Sequence, residues 1–138
     1  MTFTATAPVS STSTTTSARV AYRTLRGLLV FFGGFSIGAA SYFGFLVDPA
    51  DGGIDNGFDL FVTLWKIGIG IAFLVAAVAP RLARHQRLAV ARGALVAELV
   101  FDAIKLGHYH ESAALVFTAI DCVLMTLVVL AGRAPRVS

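Results

Sequence analysis

Several ionisable residues of this chain sit where the surrounding sequence offers them no water. Glu98, Asp102, Lys105 and Tyr109 recur at intervals of four, three and four residues, a spacing that sets them on one stripe of an α-helix. Lys66 and Asp121 lie in two other apolar segments, "LWKIGIG" and "AIDCVLM". Carboxylates and ammonium groups gathered in an apolar setting can form ion pairs, hold protons, take up a cation or orient a small polar ligand.

The elements that must position them are four apolar stretches, at about 27–47, 60–79, 88–107 and 112–131. A helix of about 20 residues crosses a hydrocarbon core of about 30 Å, and each stretch is that long. Of the 138 residues, 57% are hydrophobic and 14% charged, where a soluble domain carries about 25% charged residues. With a mean hydropathy of +0.79, so short a chain could not hide its apolar surface in a water-soluble core. The sequence therefore predicts an all-α integral membrane protein. Its four transmembrane helices would form one up-down antiparallel bundle over residues 19–138. A charge at the bilayer centre costs at least ~2.5–3.5 kcal/mol on insertion scales, so Lys66, Glu98, Asp102, Lys105 and Asp121 together form the candidate intramembrane site. Residues 1–18 are rich in Ser and Thr and hold no charged side chain. They lack the basic start and apolar run of a signal peptide and read as a disordered cytoplasmic tail.

Loop charges orient the bundle. Arg19, Arg23 and Arg26 precede the first stretch, Arg81, Arg84, Arg87 and Arg92 surround the second connection, and Arg133 and Arg136 follow the fourth stretch. The first connection carries Asp48, Asp51, Asp55 and Asp59 and no basic residue. Short loops rich in Lys and Arg stay in the cytoplasm, so both termini are expected inside a cell membrane and the acidic loop outside. The arginine-rich face would attract anionic lipid, which leaves no charge that calls for nucleic acid. Tyr42, Phe43, Phe45, Phe58, Phe61, Trp65 and Tyr109 suit an outer aromatic belt. Asp55 or Asn56 is the expected N-cap of the second helix. Small-residue spacings such as Gly34-x-x-x-Gly38, Gly68-x-x-x-Ala72 and Gly93-x-x-x-Ala97 would let the helices approach closely.

A rise of about 1.5 Å per residue gives relative depths. Counted from the acidic-loop end, Lys105 is shallow, Asp102 and Lys66 are deeper, and Glu98 and Asp121 are near the middle. This predicts a Lys66–Asp102 ion pair with an Asp102–Lys105 contact beside it. Glu98 and Asp121 are then left facing each other without a cation at their level. These residues could serve helix register alone, or line a polar pocket that narrows toward Glu98 and Asp121. A partner membrane subunit or a second copy could instead supply the missing cation, or the acids could carry a proton or ion path.

Other chemistry is sparse. His108, His110 and Glu111 offer metal-ligand types at one turn, but the histidines are two residues apart at a helix end, which suits interfacial loop residues better. The outer aspartates lack the spacing of a calcium loop. There is no nucleophile–base pair, phosphate-binding glycine loop or zinc motif, no interior histidine for haem, and no cofactor is indicated. Cys122 has no partner for an internal disulfide.

The ending of the first helix in "FLVDPADGG", the second helix "LWKIGIGIAFLVAAVAPRL" and the acid-bearing "AIDCVLMTLVVLAGR" resemble the small four-helix bacterial membrane proteins grouped as DoxX-like. The resemblance covers residues 25–133 and implies a bacterial inner-membrane bundle. Some proteins of that group are subunits of quinone-linked oxidoreductases, so a quinone cofactor is what the resemblance would add. The residues themselves favour a non-catalytic accessory subunit or small-ligand-binding bundle. A quinone-linked membrane oxidoreductase subunit or a small oligomeric ion- or proton-coupled transporter is the alternative.

Overall fold

The computed structural model describes residues 10–133. It consists of four helices, α1 (Ser10–Phe45), α2 (Gly57–Val78), α3 (Arg84–Gly107) and α4 (Ala113–Gly132), with a short 3-10 turn at Pro49–Asp51. Each helix packs on its neighbours in sequence and α4 closes the ring against α1. Contacts at opposite ends of each sequential pair show that neighbours run antiparallel. Gly44 of α1 abuts Thr63 near the start of α2, while Arg26 of α1 reaches Ala77 at the end of α2. Tyr109 meets Asp59, and Arg87 meets Ala79, across α2 and α3. Thr118 meets Asp102, and Arg84 meets Ala131, across α3 and α4.

Apolar side chains such as Leu25, Phe73 and Leu124 fill the core, and others cover the exterior as well. Leu64, Ile71, Val96, Val116 and Val123 point outward and are exposed, while Glu98, Asp102, Asp121 and Ser36 are buried. Exposed apolar surface on this scale marks a lipid- or partner-covered exterior. Three segments, Thr15–Phe45, Gly57–Val78 and Ala113–Gly132, are long and apolar enough to cross a membrane. The other helix, α3, has 24 residues against 22 in α2, but its run of charged residues keeps its hydropathy low. Among the described residues the apolar-span expectation thus holds for three of the four helices.

Helix boundaries follow local chemistry. Asn56 caps α2, its Oδ1 accepting from the backbone N–H of Phe58 at 2.9 Å and of Asp59 at 3.0 Å. Ahead of it, Gly52 takes a φ of 101°, a left-handed conformation that suits glycine and lets the chain turn from the 3-10 segment. Of the tail expected to be unstructured, residues 1–9 lie outside the described residues. The remainder, 10–18, is instead the first part of α1. Two observations account for this. Ala18 and Ala21 are buried, and Ser17 satisfies its hydroxyl by donating to the Ser13 carbonyl at 3.0 Å.

Gly44, expected at close spacing with Ala40, does meet Thr63, but backbone meets backbone at glycines outside the expected motifs. A Cβ on Gly70 would lie 2.8 Å from the Gly33 carbonyl oxygen, and one on Gly33 would lie 2.9 Å from the Gly70 carbonyl oxygen. Gly34, Gly38, Gly68 and Gly93 meet nothing within 4 Å, because they face outward. The α1–α2 seam therefore runs one or two positions away from the spacing legible in sequence. Gly70→Ala is expected to destabilise the protein by about 1–3 kcal/mol through backbone overpacking, while Gly68→Ala leaves it unchanged. Thermal unfolding of the two variants in detergent micelles compares them directly.

Candidate functional site

The polar stripe of α3 faces inward, as its spacing requires. Glu98 and Asp102 are buried on α3, Asp121 is buried on α4, and one carboxylate oxygen from each lies within 4.8 Å of the others. Lys66 enters from α2 and forms an ion pair with Glu98 Oε1. This corrects the expected Lys66–Asp102 pair and the expectation that Glu98 and Asp121 have no cation at their level. The lysine chain carries its ammonium about one helical turn deeper than its backbone, and Glu98 lies one turn from Asp102, about 6 Å along the axis. On the way the ammonium passes over the rings of Phe101 and Phe117, at 4.8 and 6.0 Å from their centroids.

Asp102 is bound differently. Its Oδ2 accepts from Thr118 Oγ1 at 3.1 Å, which ties α3 to α4 beside the ion pair. Nor does Lys105 turn back to Asp102 as expected. It bonds Glu111 Oε1 at 2.9 Å and sits 4.9 Å from the centre of the Tyr109 ring. The charges in the cluster do not balance, since three carboxylates surround one ammonium. Glu98 Oε2 and Asp121 Oδ2 are buried without a hydrogen-bond partner among the described residues. Two negative charges remain to be neutralised by protons or by a bound cation.

Two spaces meet this cluster. A half-open cleft of about 660 Å³ descends from the acidic-loop end, lined by Asp51, Asp55 and Asp59 at its mouth and by Lys66 and Asp102 at its depth. Phe35, Phe43, Phe101 and Phe117 supply apolar walls. Below it lies a narrow void of about 10 Å³, bordered by Ser36, Lys66, Glu98 and Asp121. Lys66 lines both spaces. At the mouth, Tyr109 O–H donates to Asp59 Oδ1 at 2.5 Å and ties the end of α3 to the first turn of α2. Phe58 packs against Tyr109 and His108, which gathers rings at this end of the bundle.

The histidine candidates take no part in such a cluster. His108 is stacked among rings, Glu111 is committed to Lys105, and His110 occupies a turn with a φ of 54°. Among the described residues only Glu98, Asp102 and Asp121 bring three possible metal-ligand atoms together. Sequence reasoning missed the work of three arginines at the opposite end. Arg26 Nε donates to the Ala77 carbonyl at 2.7 Å, Arg84 Nη2 to that of Ala131 at 2.7 Å, and Arg87 to those of Ala79 and Leu82 at 2.6 and 3.0 Å. They satisfy the last carbonyls of α2 and α4, where a cation also complements the helix dipole. Only Arg87 lies shortly after the helix end it serves, while Arg26 and Arg84 reach ends distant in sequence, where no local signal marks them.

Fold and site together define a class, a small all-helical protein with membrane-compatible helices and a carboxylate-rich interior. No family model, curated protein or solved structure matches this chain.

Two measurements follow from this geometry. Lys66→Met leaves the carboxylates without their ammonium and is expected to lower stability by about 3–5 kcal/mol. Adding Glu98→Gln should restore part of that loss, so unfolding of the single and double variants in micelles would reveal a coupling energy. At the mouth, burial and the Asp59 hydrogen bond push the Tyr109 phenol from 10.0 up to about 12. A folded-state value above the unfolded one means this contribution is complete below about pH 10 and fades as pH rises toward 12. Tyr109→Phe should remove that part of the alkaline slope, read as unfolding temperature against pH.

Proposed function

We propose that this chain is a four-span membrane protein with both termini in the cytoplasm, whose cleft binds a small organic cation from the outer side. The carboxylate-rich cleft running down to Asp102 carries this reading. Asp51, Asp55, Asp59, Asp102 and Glu111 line it against two cations, Lys66 and Lys105, and each lysine is already paired with an acid. The surplus is negative, and the aromatic walls add the ring faces that attract ammonium groups. A volume of about 660 Å³ falls within the range of pockets that hold small molecules, roughly 300–1,000 Å³. An amine or quaternary ammonium compound fits this lining better than a neutral quinone.

Support for a fourth span comes from α3 itself. It matches α2 in length, and its acids Glu98 and Asp102 turn inward where other helices cover them. The arginines at one end and the aspartates at the other give the orientation. In this reading the protein acts by binding, as a small-ligand bundle of the DoxX-like kind, and the arginine-rich face rests against anionic lipid.

One experiment addresses orientation and ligand together. In a Cys122→Ser background, Asp51→Cys should react with a membrane-impermeant maleimide on intact cells, while Gln86→Cys should react only after lysis. Tetrapropylammonium should slow labelling at Asp51→Cys, and the additional change Asp102→Asn should weaken that protection at least tenfold. Labelling of Asp51→Cys from the inner side alone would overturn the orientation. Unchanged labelling at saturating probe would overturn the cation-binding cleft.

A further inference from the structure

We propose that Glu98, Asp102 and Asp121 form a binding site for one divalent cation of the calcium or manganese type, beside the small void that Glu98 and Asp121 border. The three carboxylates offer oxygens within 4.8 Å of one another from two helices. Glu98 and Asp121 are 3% and 4% exposed, and each keeps one oxygen, Oε2 and Oδ2, without a hydrogen-bond partner among the described residues. Both residues border the void of about 10 Å³. Two orphaned carboxylate oxygens on residues that border one small space are costly unless something there satisfies them.

Charge selects the valence. With all three acids ionised, the carboxylates and the Lys66 ammonium sum to minus two, which one divalent cation cancels. A monovalent ion would leave an uncompensated charge in a low-dielectric interior. Lys66 does not block the site, because it is bonded to Glu98 Oε1 while Oε2 stays open. The donors are all hard oxygens, with Ser36 bordering the void and Thr118 beside Asp102, so soft metals are disfavoured.

Hydration selects among hard cations. A void with room for about one water-sized particle demands an ion that sheds its hydration shell, which magnesium does reluctantly. Asp102 and Lys66 also line the organic-cation cleft, so the two sites adjoin, but this one is argued from Glu98 and Asp121 and does not rest on that reading.

The test uses the full chain in micelles, stripped with a chelator and carrying a nitroxide on its single cysteine, Cys122, which is exposed beside Asp121. Titrated with Mn²⁺ alone, it should bind one ion per chain, and the bound ion should broaden the nitroxide spectrum. Ca²⁺ should displace Mn²⁺ at lower concentration than Mg²⁺ does. Glu98→Gln and Asp121→Asn should each weaken binding at least tenfold, with Asp48→Asn unchanged. Absence of saturable binding by the folded protein, or binding that leaves the nitroxide sharp, overturns the site. The nitroxide readout on the wild-type side chains decides the question even where an acid variant fails to fold. Tetrapropylammonium binding retained in Asp121→Asn while Mn²⁺ binding is lost would show that the two sites stand or fall separately.

Discussion

An ammonium and a carboxylate buried among apolar helices must find each other, and in this bundle that requirement fixes the rest. The Lys66–Glu98 pair ties the middle of α2 to the middle of α3. With that point set, the antiparallel register brings Tyr109 to Asp59 at one end and Arg87 to the Ala79 carbonyl at the other. Sliding α3 by one turn would break all three contacts and strand charge in the interior. A Thr118 hydroxyl on Asp102 then seats α4 against the same face. Hydrophobic attraction between helices could not impose this register, because an apolar exterior gains as much from lipid as from another helix.

The two ends of the bundle differ in how firmly they are closed. At the arginine-rich end, Arg26, Arg84 and Arg87 lace the final carbonyls of α2 and α4 to neighbouring helices. Along the α1–α2 seam, Gly33 and Gly70 bring backbone against backbone. The acidic-loop end holds fewer cross-links, and the cleft opens there. The bundle thus has the form of a cup, sealed at its base and lined with acid.

Much of this could be read in the sequence, and what could not has definite physical causes. The four elements followed from hydropathy and length, the inward stripe of Glu98 and Asp102 from its spacing, and the α2 cap from Asn56. The partner of Lys66 was misassigned because a depth count along the axis places Cα atoms, whereas a long flexible side chain places its charge a turn away. The glycine seam was missed because motif spacing marks positions that could pack closely without saying which side of the helix faces a neighbour. Gly34 and Gly38 satisfy the motif and look outward, while Gly33, one position away, makes the contact. The start of α1 was placed too late because a Ser/Thr-rich composition argues against order unless local hydroxyl bonds and buried alanines offset it.

The unequal hydropathy of the helices bears on how the proposed four-span form would be made. Segments of α1, α2 and α4 are long and apolar enough to cross a membrane, and α3 is not among them. During synthesis α3 emerges directly after α2, joined by a short connection, and α2 carries the Lys66 ammonium that neutralises Glu98. In the proposed four-span form, membrane entry of α3 would be coupled to α2, with the two leaving the insertion machinery as a hairpin. The ion pair at the centre of the finished structure would then also serve as the passport by which its most polar helix enters the bilayer.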